Sequence, residues 1–139
     1  MKVSIGVTGS EQYENKILIK DTIFKLKQTF KDDLCIISRG CQKGADVYIK
    51  KFALQFCCNY AEVSPSYLSK NLYSIVQREE YYNQKFSVRD IFKRNLQLIE
   101  HCDMLIVFQY NEDKFVEYLI KKAKEKNKKI KVFNKVEKL

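Results

Sequence analysis

"LCIISRGCQKGADVYIKKFALQF", residues 34–56, holds the decisive pattern of this chain. It opens with an unbroken apolar run, Leu34 to Ile37, as expected for a strand covered on both faces. A loop with two glycines, Gly40 and Gly44, follows. Ala45, Ile49, Phe52, Ala53 and Phe56 then recur at the spacing of one helical face. A doubly buried strand leading through a glycine loop into an amphipathic helix is half of a βαβ unit, which needs a parallel neighbour.

Working outward, the same alternation covers the chain. "KVSIGV" (2–7) reads as a strand ending in Thr8-Gly9-Ser10, and Ile19, Ile23, Leu26 and Phe30 mark a helix over 16–30. "NYAEV" (59–63) is a short strand. Val88, Phe92, Asn95, Ile99 and Cys102 share a helical face ahead of "MLIVF" (104–108). A helix near 113–126 and a closing strand "KIKVF" (129–133) complete the order. The predicted fold is α/β: a Rossmann-like three-layer sandwich, with a mostly parallel five-stranded sheet and helices on both faces. Residues 1–139 read as one domain. Its interruption is a tyrosine-rich insertion or cover at about 64–87, containing Tyr67, Tyr73, Tyr81 and Tyr82. Those rings could stack a nucleobase, pack onto the domain or meet a second copy in a dimer.

Composition narrows the class. With 45% apolar and 13% aromatic residues the chain is globular. It contains no apolar run of membrane-spanning length and no signal-peptide pattern, so a cytoplasmic protein is expected. The net charge of +9 comes almost wholly from lysines crowded into residues 121–138, which read as a solvated helix face. On that basis nucleic acid is not expected as a partner. The four arginines, Arg39, Arg78, Arg89 and Arg94, are more informative, because a guanidinium fork matches phosphate. Five cysteines without ligand spacing read as reduced, mostly buried residues, with Cys41 singled out by its place in the loop. His101 reads as a helix-end charge. No metal or cofactor is expected.

Open α/β sheets bind ligands beyond the carboxyl ends of their strands, where the strand order reverses. Gly9, Gly40 and Gly44 fall at that edge, and bare backbone there can converge on a phosphate, helped by the helix beginning near Ala45. Asp46 reads as a charge at that helix end.

Three stretches together, "GVTGS", "SRGCQKGAD" and "RNLQLIEHCDMLIVF", resemble the SLOG superfamily of Rossmann-like nucleotide-binding proteins. That superfamily is named for the DNA-processing protein Smf and the Lonely Guy cytokinin-activating enzymes. The small stand-alone members, many of them phage-encoded, are the most similar, which would place this chain in a host cytosol. Gly9, Ser10, Ser38, Gly40, Gly44, Ala45, Asp46, Arg94, Asn95 and Asp103 match the superfamily's motifs. Glu11 and Arg39 stand where it carries arginine and glycine, and Arg39 adds a cation. Enzymatic members carry a PGGxGTxxE motif after the fourth strand. Here "QYNEDKFVEYL" has neither proline nor glycine, although Glu117 falls near the motif's glutamate.

The resemblance implies binding of a nucleotide or nucleotide-derived small molecule, without turnover. The alternative it implies is a nucleoside-monophosphate phosphoribohydrolase, with Glu117 as the weak catalytic candidate. The expected ligand-binding set is Thr8, Gly9, Ser10, Ser38, Arg39, Gly40, Gly44, Arg89, Arg94, Asn95 and Tyr110. Loops 8–11, 38–46 and 109–112, with Arg89 and Arg94, are expected to line one cleft. If Gly44 serves a phosphate, Gly44→Asp should stay folded and lose the ligand; if it merely turns the chain, Gly44→Asp should lower the melting temperature of the ligand-free protein.

Overall fold

The structure is a computed structural model that describes residues 2–40, 44–63, 73 and 88–135, with the backbone alone for 88–94 and 135. Five strands form one sheet: β1 (Val3–Gly9), β2 (Leu34–Ser38), β3 (Asn59–Glu62), β4 (Met104–Tyr110) and β5 (Lys129–Lys135). Four α-helices connect or cover them: α1 (Lys16–Phe30), α2 (Ala45–Gln55), α3 (Val88–His101) and α4 (Lys114–Glu125). The strand order is β3-β2-β1-β4-β5, and every pairing is parallel. β1 is central, so the chain first winds outward through β2 to β3. It then crosses back to β4, on the other side of β1, and the strand order reverses there.

The two halves of the winding cover opposite faces. Ile19 and Ile23 of α1 and Ala45, Ile49 and Phe52 of α2 pack with Ile5, Val7 and Ile36 in one core. Leu98 and Ile99 of α3 and Val116 and Leu119 of α4 pack with Leu105 and Val107 in the other. β4 alternates between the cores, Ile106 and Phe108 facing one and Leu105 and Val107 the other, as the period of two requires. At the amino edge, the Asp103 N–H donates to the Ser4 carbonyl at 2.7 Å. Its carboxylate accepts from the Ser4 N–H at 2.9 Å, fixing the register of β4 on β1.

The scarcity of glycine has a local counterpart at the helix ends. α1, α2 and α4 are each followed within two residues by a residue of positive φ, namely Lys31 (52°), Cys57 (59°) and Asn127 (59°). Glycine is the usual choice at such ends. The four glycines stand elsewhere: Gly6 and Gly9 in β1, Gly40 and Gly44 in the loop after β2.

Candidate functional site

The crevice lies at the carboxyl edge, where the chain leaves β1 towards one face and β4 towards the other. Gly9 is the last residue of β1, and a Cβ there would lie 2.3 Å from the Phe108 carbonyl oxygen and 2.7 Å from the Ala45 Cβ. Its bareness therefore lets β4 and α2 close on β1. Ser10 then joins three elements. Its N–H donates to the Phe108 carbonyl (2.9 Å), and its carbonyl accepts from the N–H groups of Tyr13 and Ala45 (3.2 Å each). Its hydroxyl accepts from the Tyr110 N–H at 3.0 Å.

Beneath these loops runs a buried polar network centred on Arg39. The Arg39 Nε donates to the Thr8 hydroxyl (2.8 Å), and that hydroxyl donates onward to Asp46 Oδ1 (2.7 Å). The Arg39 Nη2 donates to the Gly9 carbonyl at 2.7 Å, and Nη1 to Asn95 Oδ1 at 3.2 Å. Asn95 passes the connection on, its Nδ2 donating to the Phe115 carbonyl at 3.4 Å. Asp46 Oδ2 lies 3.8 Å from Arg39 Nε, completing an ion pair with side chains 5% and 0% exposed. One guanidinium thus ties β1, α2 and α3 beneath the crevice, and α4 through Asn95. The cation that Arg39 adds to the second loop is met inside the protein. Asp46, expected as a helix-end charge, is a buried partner within that network.

Gly44 differs from its expected role. Its φ is 70° and its ψ −139°, and it is the residue before α2. A Cβ would lie 2.3 to 2.5 Å from the backbone O, C and Cα of Glu11. The first and second loops thus touch backbone to backbone at Gly44. A side chain there collides with main-chain atoms before any ligand is involved, which favours the second of the two outcomes expected for Gly44→Asp, a lowered melting temperature. Gly40 also has positive φ (75°). Its N–H donates to the Ser38 hydroxyl at 3.0 Å.

A second cluster adjoins Ser38, which pairs with Glu62 across β2 and β3. The buried Glu62 carboxylate accepts from the Tyr60 hydroxyl at 2.9 Å and lies 3.9 Å from the Lys50 ammonium. Burial, and then the Glu62 charge, push the Tyr60 phenol far above its ordinary value, against an opposing hydrogen bond to Ser38. Tyr73 packs against this cluster. Its ring meets Tyr60 edge-on at 5.6 Å, the Lys50 ammonium lies 4.8 Å over it, and its carbonyl accepts from the Glu62 N–H at 2.8 Å. The sequence reading did not single out Tyr60 or Glu62. The available signal was a carboxylate at the last position of a strand, ahead of a stretch without glycine.

The helix starts around the crevice differ in kind. α4 is capped by Asp113, whose carboxylate accepts from the N–H groups of Phe115 (3.0 Å) and Val116 (3.3 Å). That carboxylate occupies the amino end of the helix that follows β4. Glu117, in the first turn of α4, is exposed. α2 has no side-chain cap, although its Ala45 N–H is held by Ser10. α3 runs back from the carboxyl edge, so the backbones of Arg89 and Arg94 lie on the crevice side of the fold with Asn95. The side chains of Arg89 and Arg94 lie outside the described residues, as do Cys41 and the insertion 64–87 apart from Tyr73. Tyr110 is half-buried beside Ser10. Among the described residues no group of His, Cys, Asp and Glu could hold a metal ion. No helix among them is long and apolar enough to cross a membrane.

A similar solved structure is the X-ray structure of DNA processing protein A from Streptococcus pneumoniae, with a TM-score of 0.72 at 16% identity. The match covers 94% of this chain and 50% of that one, so the chain spans half the length of its structural neighbour. No protein-family model matches the chain, and no curated protein matches it. At this identity the likeness establishes the Rossmann-like fold.

Proposed function

We propose that this chain is a single SLOG-like domain that binds a nucleotide or a nucleotide-derived small molecule in the carboxyl-edge crevice and does not turn it over. The observation that carries the reading is the Arg39 network. It holds the ends of β1 and β2 and the start of α2 in one fixed arrangement at the point where strand order reverses. A buried ion pair with its hydrogen bonds satisfied is costly to assemble for stability alone, and rigid placement of loops is one use for it. Thr8, Arg39 and Asn95 position the loops in this proposal. Gly9, Ser10, Ser38, Gly40, Gly44 and Tyr110 shape the crevice wall, and Arg89 and Arg94 supply the cations that meet phosphate.

The absence of turnover rests on α4. Its first N–H groups are satisfied by Asp113, so the chain's own carboxylate takes the place a phosphate would occupy, and Glu117 has no such anion beside it. The test combines mass spectrometry of small molecules released from purified protein with a thermal-shift screen of nucleotides. Chromatography after incubation with AMP and its modified forms completes it. A nucleotide that raises the melting temperature by mass action, with no free base released, supports the reading. Multiple turnovers abolished in Glu117→Gln establish the phosphoribohydrolase in its place.

Nucleic acid is the second reading, against the expectation from composition. The structural neighbour is by name a DNA-processing protein. The chain also carries a net charge of +9, which supplies the sequence-independent part of nucleic-acid affinity.

A further inference from the structure

The excess charge is concentrated at one corner of the fold, at the opposite edge of the sheet from the crevice. Residues 121–131 hold seven lysines and one acidic residue, Glu125. They span the last turns of α4, the tight turn after it and the start of β5. The turn is closed by bonds from the Asn127 N–H to the Lys124 carbonyl and from the Lys128 N–H to the Ala123 carbonyl, 3.0 Å each. The lysines are therefore held on an ordered frame. Lys122 alone among them has a carboxylate partner, Glu125 at 3.3 Å. Lys121, Lys124, Lys126 and Lys129 are exposed and make no ion pair among the described residues.

Cations at a helix C-terminus are favoured by the helix dipole, which accounts for the lysines of the last turn of α4. It does not account for those that continue through the turn into β5. Lys129 and Lys131, alternate residues of a strand, project to one side about 6.6 Å apart. They stand on the sheet face opposite α4, since the intervening Ile130 packs with the α3–α4 core. The charge consequently wraps the β5 edge from both faces, and its self-repulsion is relieved by a polyanion lying along it.

We propose that this corner, residues 121–131, is a docking surface for the phosphate backbone of nucleic acid, separate from the crevice. The proposal rests on the nucleic-acid reading above. Lysines are point charges without a fork, so the contact is one of phosphate neutralisation without base readout.

The test is fluorescence anisotropy of the full chain with a labelled oligothymidylate, titrated between about 50 and 200 mM salt. The corner variant is K124Q/K126Q/K129Q, and the control is K16Q/K20Q/K51Q, equal in charge and remote from the corner. Gln has nearly the helix propensity of Lys, and melts followed by circular dichroism check that both variants fold. The proposal expects salt-sensitive binding by the wild type and at least a tenfold loss in the corner variant. The log–log salt slope should flatten by about 0.7 for each phosphate contact removed, about 2 in all. The control should stay within about twofold. Wild-type binding that both triple variants weaken equally overturns the surface while leaving the nucleic-acid reading intact. No binding by the wild type overturns that reading and the surface with it. Tighter binding to phosphatidylserine vesicles than to the oligonucleotide, lost in the corner variant, overturns nucleic acid as the partner.

Discussion

Replacing Arg39 by Met tests whether its charge is structural. Arg39 is 4% exposed and Asp46 1% exposed, so neither charge can turn to water when its partner is removed. Arg39→Met keeps a long unbranched side chain but leaves Asp46 as a buried carboxylate without its cation. It also strips donors from the Thr8 hydroxyl, the Gly9 carbonyl and Asn95. Breaking a buried pair from one side costs about 3–5 kcal/mol, a large share of the roughly 5–15 kcal/mol that holds a domain together. For a chain of this length that corresponds to a fall of about 10 °C or more in Tm. Asp46→Asn keeps the acceptor for Thr8 and removes the charge, so the double variant R39M/D46N no longer buries an unpaired ion. Its cost should be smaller than the sum of the single costs by about 2 kcal/mol, within the usual coupling range of contacting residues. Urea unfolding of the four proteins measures the cycle. A loss below about 1 kcal/mol in Arg39→Met, or strict additivity, would refute the network as described.

Three further outcomes follow from the same geometry. Gly44→Ala should cost about 2–5 kcal/mol, from a φ/ψ region nearly restricted to glycine plus overpacking against Glu11, and equal urea midpoints for wild type and variant would refute the contact. Asp113→Ala should cost about 0.5–2 kcal/mol through loss of the α4 cap, read by thermal melting, while Asp113→Ser should retain most of the stability. A phenol whose pKa is raised by folding, like that of Tyr60, stabilises the native state below the unfolded value near 10. That contribution is lost as pH rises through and above this value, so the urea midpoint should fall between about pH 9 and pH 11, with a shallower fall in Tyr60→Phe.

The tyrosine contrast shows where reading residues in order stops being enough. Tyr67, Tyr73, Tyr81 and Tyr82 attract attention by crowding into 64–87, whereas nothing along the chain marks Tyr60, in a four-residue strand, whose phenol is pushed up by burial and by Glu62. Crowding is visible along the chain. Enclosure by Glu62, Ser38 and Tyr73 depends on which strand lies beside β3, which the chain order leaves open until the sheet is assembled.

What the sequence determined by itself was the succession and type of the elements. Apolar runs such as Leu34–Ile37 and Leu105–Phe108, separated by helical periodicity, permit only a parallel sheet covered on both faces, and the described elements follow that order. These signals are local, since they arise from backbone period and from which side chains must leave water. The direction of the polar residues at the strand ends was decided by tertiary structure alone. Thr8, Arg39 and Asn95 looked alike as candidates for a ligand and Asp46 looked like a helix-end charge, but their partners are 31 to 56 positions away in the chain. Gly44, read as room beside a phosphate, is also the room that the backbone of Glu11 needs. A buried charge is stable only beside its counter-charge, and only the folded chain brings those two together.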